Sequence, residues 1–149
     1  MLTFTLINAP DETLQGGLKI CLPYDLRKKS RFKALTQCGQ EVGMILPRGH
    51  ILRHGTVVKN EHGDFAVILA APEKVSTART TDPVQLAKAA YHLGNRHVPL
   101  QVGNGWVRYQ HDHVLDDMVQ GLGLTVAVEE QAFEPEDGAY ANGGHHHHH

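Results

Sequence analysis

The chain is poor in cysteine, in tryptophan and in long apolar runs, with two cysteines and one tryptophan in 149 residues. Cys21 and Cys38 stand apart, without CxxC or zinc-ribbon spacing, which argues against a disulfide scaffold or a thiolate zinc module and predicts two inert free thiols. No stretch approaches the roughly 18 apolar residues of a membrane-spanning helix. Met1 to Pro10 has no basic flank leading into an apolar core, so no membrane partner is expected and the expected location is cytoplasmic. An excess of one charge is missing as well. With 14 basic and 16 acidic side chains the formal charge is -2, so no global field draws nucleic acid or anionic lipid. HExxH, the nucleophile elbow, the P-loop and GxGxxG are all absent, and no catalytic constellation replaces them. No turnover is expected of this chain.

What the chain has is histidine, 12 residues of 149, seven of them outside a terminal run. His97 closes the string Gly94-Asn95-Arg96-His97, and His111 and His113 flank Asp112 in Tyr109-Gln110-His111-Asp112-His113. His145, His146, His147, His148 and His149 follow Gly143-Gly144. Imidazole is a borderline ligand that suits Ni(II), Cu(II), Zn(II) and Fe(II), and a His-x-His pair on extended backbone can aim both rings the same way. Taken singly, His97 also fits a turn histidine bonded to backbone, and His111 and His113 fit two polar residues at a helix start. The terminal run is either an expression tag, which carries no information on the fold, or a native metal-binding tail. His50, His54 and His62 are scattered over turns and strand ends and are expected at the surface or hydrogen-bonded. His92 is expected to pack or cap rather than ligate.

The first half, Leu2 to about Ala71, predicts short strands at Leu2–Ile7, Leu18–Leu22, Glu41–Leu46, Ile51–His54, Thr56–Lys59 and Phe65–Ala71, separated by Gly or Pro. That is a small all-β module, with a hairpin over Asn60 to Asp64. Arg27, Lys28, Lys29, Arg31 and Lys33 place five cations in seven positions and read as a solvated strand edge, since no aromatic residues interleave as a nucleic-acid platform. Pro72 interrupts the apolar run and puts a domain boundary near Ala71 to Glu73.

The second half predicts a strand at Lys74–Arg79 and a helix capped by Asp82, with Pro83 at its first position and Gly94 as its C-cap. Strands follow at Val98–Val102 and Trp106–Tyr109, joined by Gly103-Asn104-Gly105. A second helix runs from an N-cap at Asp112 to Gly123, and Leu124–Val128 is the final strand. Strand, helix, strand, strand, helix, strand is the ferredoxin-like βαββαβ order, in which both helices cover one sheet face. The fold expected is therefore α+β: a β-rich domain over 1–72, a ferredoxin-like domain over 73–132 and a flexible tail over 133–149. Asp116 and Asp117 are expected to complement the helix dipole.

Particular strings go further. Tyr91-His92-Leu93-Gly94-Asn95-Arg96-His97, Tyr109 through Met118, Leu122-Gly123-Leu124, and Phe133-Glu134-Pro135-Glu136 with Gly138-Ala139-Tyr140 closely resemble the UreE-type urease accessory proteins. Lys29-Ser30-Arg31 and Leu46-Pro47-Arg48-Gly49 extend the likeness to the first half. The resemblance implies a cytoplasmic nickel metallochaperone with an N-terminal peptide-binding domain and a C-terminal metal domain that forms a homodimer. It implies that His97 meets its symmetry mate at a Ni(II) site, that His111 and His113 are further nickel or copper positions, and that a His-rich tail adds ligands. The partners implied are the urease-maturation GTPase and the urease apoprotein complex. The competing expectation is a general Zn(II), Cu(II) and Ni(II) buffer with no dedicated partner. Imidazole ligands compete with protons, so metal binding is expected to weaken as pH falls through about 6.5, the ordinary histidine range. Calorimetric titration with Ni(II) checks this, and undiminished affinity at about pH 5 would point to carboxylates instead.

Overall fold

The structure, a computed structural model, describes residues 1–14 and 16–138. The chain divides into two compact units, one formed by Met1–Ala71 together with Asp137, the other by Pro72–Glu136.

The first unit holds two sheets. β1 (Leu2–Phe4), β5 (Glu41–Ile45) and β4 (Arg31–Leu35) form one in the order β1-β5-β4. β2 (Leu6–Asn8), β6 (Val57–Lys59), β7 (Phe65–Ala70) and β3 (Leu18–Leu22) form the other in the order β2-β6-β7-β3. Alternation decides which side chains go inside. Phe4, Val42 and Met44 from the first sheet and Ile20, Val58 and Ile68 from the second are at most 1% exposed and share one core. Each such burial stabilises by roughly 1.5–3 kcal/mol. The β6–β7 turn is organised by Asn60, whose Oδ1 accepts from the amides of His62 at 3.0 Å and Asp64 at 3.1 Å, while Gly63 takes a φ of 86°.

Two expectations fail here for one reason. Pro23 leads into a single helical turn, α1 (Tyr24–Arg27), and Arg27 is fully buried rather than part of a solvated edge. Its Nε donates to the Leu22 carbonyl at 3.0 Å and its Nη1 to the Leu52 carbonyl at 3.1 Å, and the guanidinium lies 5.8 Å from the Tyr24 ring centre. The Leu52 amide in turn donates to the Arg27 carbonyl at 2.9 Å. Leu52 thus spends its main-chain groups on Arg27, and Ile51–His54 is a loop instead of a strand. Arg31 and Lys33 do lie exposed on the edge strand β4.

The second unit is one antiparallel sheet in the order β11-β8-β10-β9, built from β8 (Pro72–Arg79), β9 (Gln101–Gly103), β10 (Trp106–Gln110) and β11 (Thr125–Ala132). With α2 (Pro83–Asn95) and α3 (His113–Gly121) it completes the ferredoxin-like order. The central strand β8 pairs with β11 along its whole length, from Pro72 opposite Ala132 to Arg79 opposite Thr125. Ala89 and Leu93 of α2 and Leu115 and Val119 of α3 pack with Ala78, Val107, Tyr109 and Leu124 in one core. On the sheet, Arg108 stacks over Trp106 at 4.6 Å and donates to Thr77 Oγ1 at 2.9 Å. The hairpin link is two residues rather than three, because Gly103 pairs with Trp106 and only Asn104 and Gly105 turn.

The segment after Ala132 is held, where a loose tail was expected. Phe133 is fully buried, the Glu134 amide donates to Gln101 Oε1 at 2.9 Å, and the Glu136 amide donates to the Leu100 carbonyl at 2.8 Å. Phe133 and Pro135, both buried, anchor an otherwise acidic stretch.

Arg27→Ala is expected to destabilise the first unit by about 2–4 kcal/mol, since it empties a buried volume and removes the side-chain donor from the Leu52 carbonyl, while the Leu22 carbonyl keeps only the Ala71 amide. Lys29→Ala, at an exposed position, should stay within about 0.5 kcal/mol. Urea unfolding followed by circular dichroism distinguishes the two.

Candidate metal centre

His97 is placed by the way α2 ends. The helix runs through Gly94 to Asn95 and is capped at Arg96, so Gly94 is not the C-cap expected of it. The residue that turns the chain is His97, with a φ of 59°, the one non-glycine left-handed residue among those described. Its amide donates to the Gly94 carbonyl at 3.0 Å, and the Val98 amide donates to the Leu93 carbonyl at 3.2 Å. These two bonds are the Schellman closure, in which the left-handed position normally goes to glycine. α3 closes identically on Gly123 at φ 103°, with bonds from Gly123 to Gln120 and from Leu124 to Val119. At His97 a side chain sits where the backbone prefers none, at a cost of order 1–2 kcal/mol, and the ring is exposed.

His111 and His113 are set by the start of α3. Asp112 is the N-cap, its Oδ1 accepting from the Val114 amide at 2.9 Å and the Leu115 amide at 3.2 Å. His113 is the first helical residue and is exposed. His111 is partly buried and engaged: its Nδ1 lies 3.1 Å from Ser76 Oγ and 3.2 Å from Asp116 Oδ2. Asp116 is 8% exposed and accepts from the Tyr109 hydroxyl through Oδ1 at 2.6 Å. Asp116 therefore does more than complement a dipole, as had been expected. Burial first, and then the Asp116 carboxylate, push the Tyr109 hydroxyl well above the ordinary tyrosine range, so that it is a fixed neutral donor. The sequence does not announce Ser76 and Asp116 as neighbours of His111, or Tyr109 as the partner of Asp116. The available signal was spacing: His111 lies two residues after Tyr109, just past the end of β10, and Asp116 falls beside Leu115 and Val119 on the buried face of α3.

Among the described residues, His97, His111 and His113 do not come together as a group of three metal-holding side chains. His145 to His149, and the Ala139 and Tyr140 of the closing motif, lie outside the described residues. His54 accepts from the Ala70 amide at 3.1 Å, and His92 meets the Tyr91 ring edge-on at 5.2 Å. Cys21 and Cys38 are free and exposed. No helix among the described residues is long and apolar enough to cross a membrane.

Fold and site together define a two-domain α+β protein with a β-rich unit, a ferredoxin-like unit and imidazoles at two helix ends. The profile described as "UreE urease accessory protein, N-terminal domain" matches residues 8–71, and "UreE urease accessory protein, C-terminal domain" matches residues 73–149. The chain belongs to the UreE family of urease accessory proteins. Relatives called "Urease accessory protein UreE" include that of Shewanella halifaxensis, 56% identical over 82% of this chain and 71% of its own. That of Vibrio parahaemolyticus is 56% identical over 85% and 79%. That of Proteus mirabilis is 55% identical over 86% and 80%.

Because the left-handed backbone at His97 favours glycine, His97→Gly is expected to keep the closure of α2 and to stabilise the protein by about 0.5–1 kcal/mol. Thermal unfolding checks it. An unchanged or lowered midpoint would mean that the imidazole makes packing contacts that offset the strain.

Proposed function

We propose that this accessory protein carries Ni(II) to the urease active site during its assembly, acting in the cytoplasm as a homodimer of its ferredoxin-like units. The observation that carries the reading is His97, an exposed imidazole kept at a backbone position that favours glycine. Strain of this kind persists where a side chain is wanted for its chemistry. One imidazole does not hold a transition metal tightly, and a two-fold axis doubles it with no further sequence. A site of two imidazoles leaves coordination positions open to an acceptor's ligands, which suits delivery better than storage.

His111 and His113 are secondary positions in this reading, and His145 to His149 supply further imidazoles. Cu(II) binds nitrogen sites more tightly than Ni(II), so availability rather than the ligand set selects the cargo, and Zn(II) can occupy the same ligands. The partners are the urease-maturation GTPase and the urease apoprotein complex, in keeping with the relatives' name of urease accessory protein.

The test is activation of apo-urease by purified maturation factors, comparing the natural chain with His97→Gly, which keeps the helix closure. With nickel limiting, activation is expected to fall roughly tenfold or more, the scale of a damaged metal site. Excess nickel should restore it. Equal activation at limiting nickel would overturn the assignment to His97, and a requirement for no partner at all would favour a passive buffer.

A further inference from the structure

We infer that Asp116, backed by Tyr109 and Ser76, is a positioning residue that fixes His111 as its Nδ1–H tautomer and thereby presents Nε2 as the metal-donating nitrogen. The inference rests on the carrier reading and adds to it a device that no motif of the sequence displays. An ionised carboxylate can only accept hydrogen bonds. Oδ1 of Asp116 accepts the Tyr109 hydroxyl hydrogen bond at 2.6 Å, leaving Oδ2 to face His111 Nδ1 at 3.2 Å. A lone pair on Nδ1 would lie beside that negative oxygen, whereas a ring hydrogen there is attracted to it, so the carboxylate favours the Nδ1–H form. Ser76 Oγ, in hydrogen-bond contact with the same nitrogen at 3.1 Å, can accept that hydrogen.

The clamp is rigid because its parts come from three packed elements. Ser76 lies on β8 directly opposite Tyr109 on β10, and Asp116 sits in the first turn of α3. Ser76 and Tyr109 are fully buried and Asp116 is 8% exposed, so water does not compete for these bonds. Metal-binding imidazoles commonly have their second nitrogen held by a carboxylate, which sets the tautomer and the ring plane. In this chain that arrangement stands ready at His111, the more buried member of the His-x-His pair, whereas His113 is exposed.

The experiment is long-range proton–nitrogen correlation of the imidazoles in the full chain at about pH 8.5, roughly two units above the ordinary histidine range. It is run first without metal and then with Ni(II) added stepwise, the paramagnetic ion broadening the rings it reaches. His111 is expected as a single Nδ1–H tautomer. In Asp116→Ala combined with Tyr109→Phe, which leaves no buried hydroxyl unpaired, a mixture of tautomers is expected, and His111 should need about tenfold more Ni(II) to broaden. Asp116→Asn, whose amide oxygen can still accept from Nδ1–H, should restore both readouts. An Nε2–H tautomer in the natural chain, a measurement that needs no variant to fold, would overturn the inference. So would a double variant with unchanged tautomer and nickel threshold. If His111 stays sharp while His97 broadens, the clamp is structural and the inference fails, yet the carrier reading through His97 stands. If His97 stays sharp as well, that reading fails separately.

Discussion

A carboxylate that has left water must find its hydrogen-bond donors inside the protein, and Asp116 is the carboxylate on which the second unit turns. Its two oxygens are divided between Tyr109 on β10 and His111 just beyond it. Removing the Tyr109 hydroxyl would leave a buried carboxylate short of its donor, an arrangement far more costly than never having buried it. The bond therefore fixes how α3 sits on the sheet and, in the same stroke, where the end of β10 places the His-x-His segment. The N-cap at Asp112 is consistent with it, since a helix that starts there brings Asp116 round to the sheet one turn later.

The first unit solves a comparable problem with a cation. Arg27 is enclosed where main-chain carbonyls and an aromatic face meet its charge. It ties α1 to the loop after β5, which has no strand partner of its own. Among the cations from Arg27 to Lys33, burial selects the first, while Arg31 and Lys33 remain on the surface of an edge strand.

Much of this was legible in the residues. Asp82 followed by Pro83, and Asp112 ahead of an apolar stripe, announce both helix starts because capping is local chemistry. The ferredoxin-like order follows from periodicity alone. The misreadings come from side chains that act across the sequence. Nothing near Arg27 says that Leu52 will accept its proton, and nothing near Asp116 names Tyr109 and His111 as its partners. The end of α2 misled differently: Gly94 was the nearest glycine, but the left-handed turn belongs to His97. The left-handed position that local rules give to glycine holds a histidine here.

That leaves Gly94 without a conformational reason to be glycine. It lies exposed inside the last turn of α2 with an ordinary helical φ, and a β-carbon built on it would meet nothing within 4 Å. Its carbonyl is the one that receives the His97 amide, so this bare stretch of main chain adjoins the His97 backbone. A glycine there gives up about 1 kcal/mol of helix propensity relative to alanine. The consequence is one of clearance. At the end of α2 the molecular surface at Gly94 is peptide rather than side chain, and another body can come up to van der Waals distance of the backbone there.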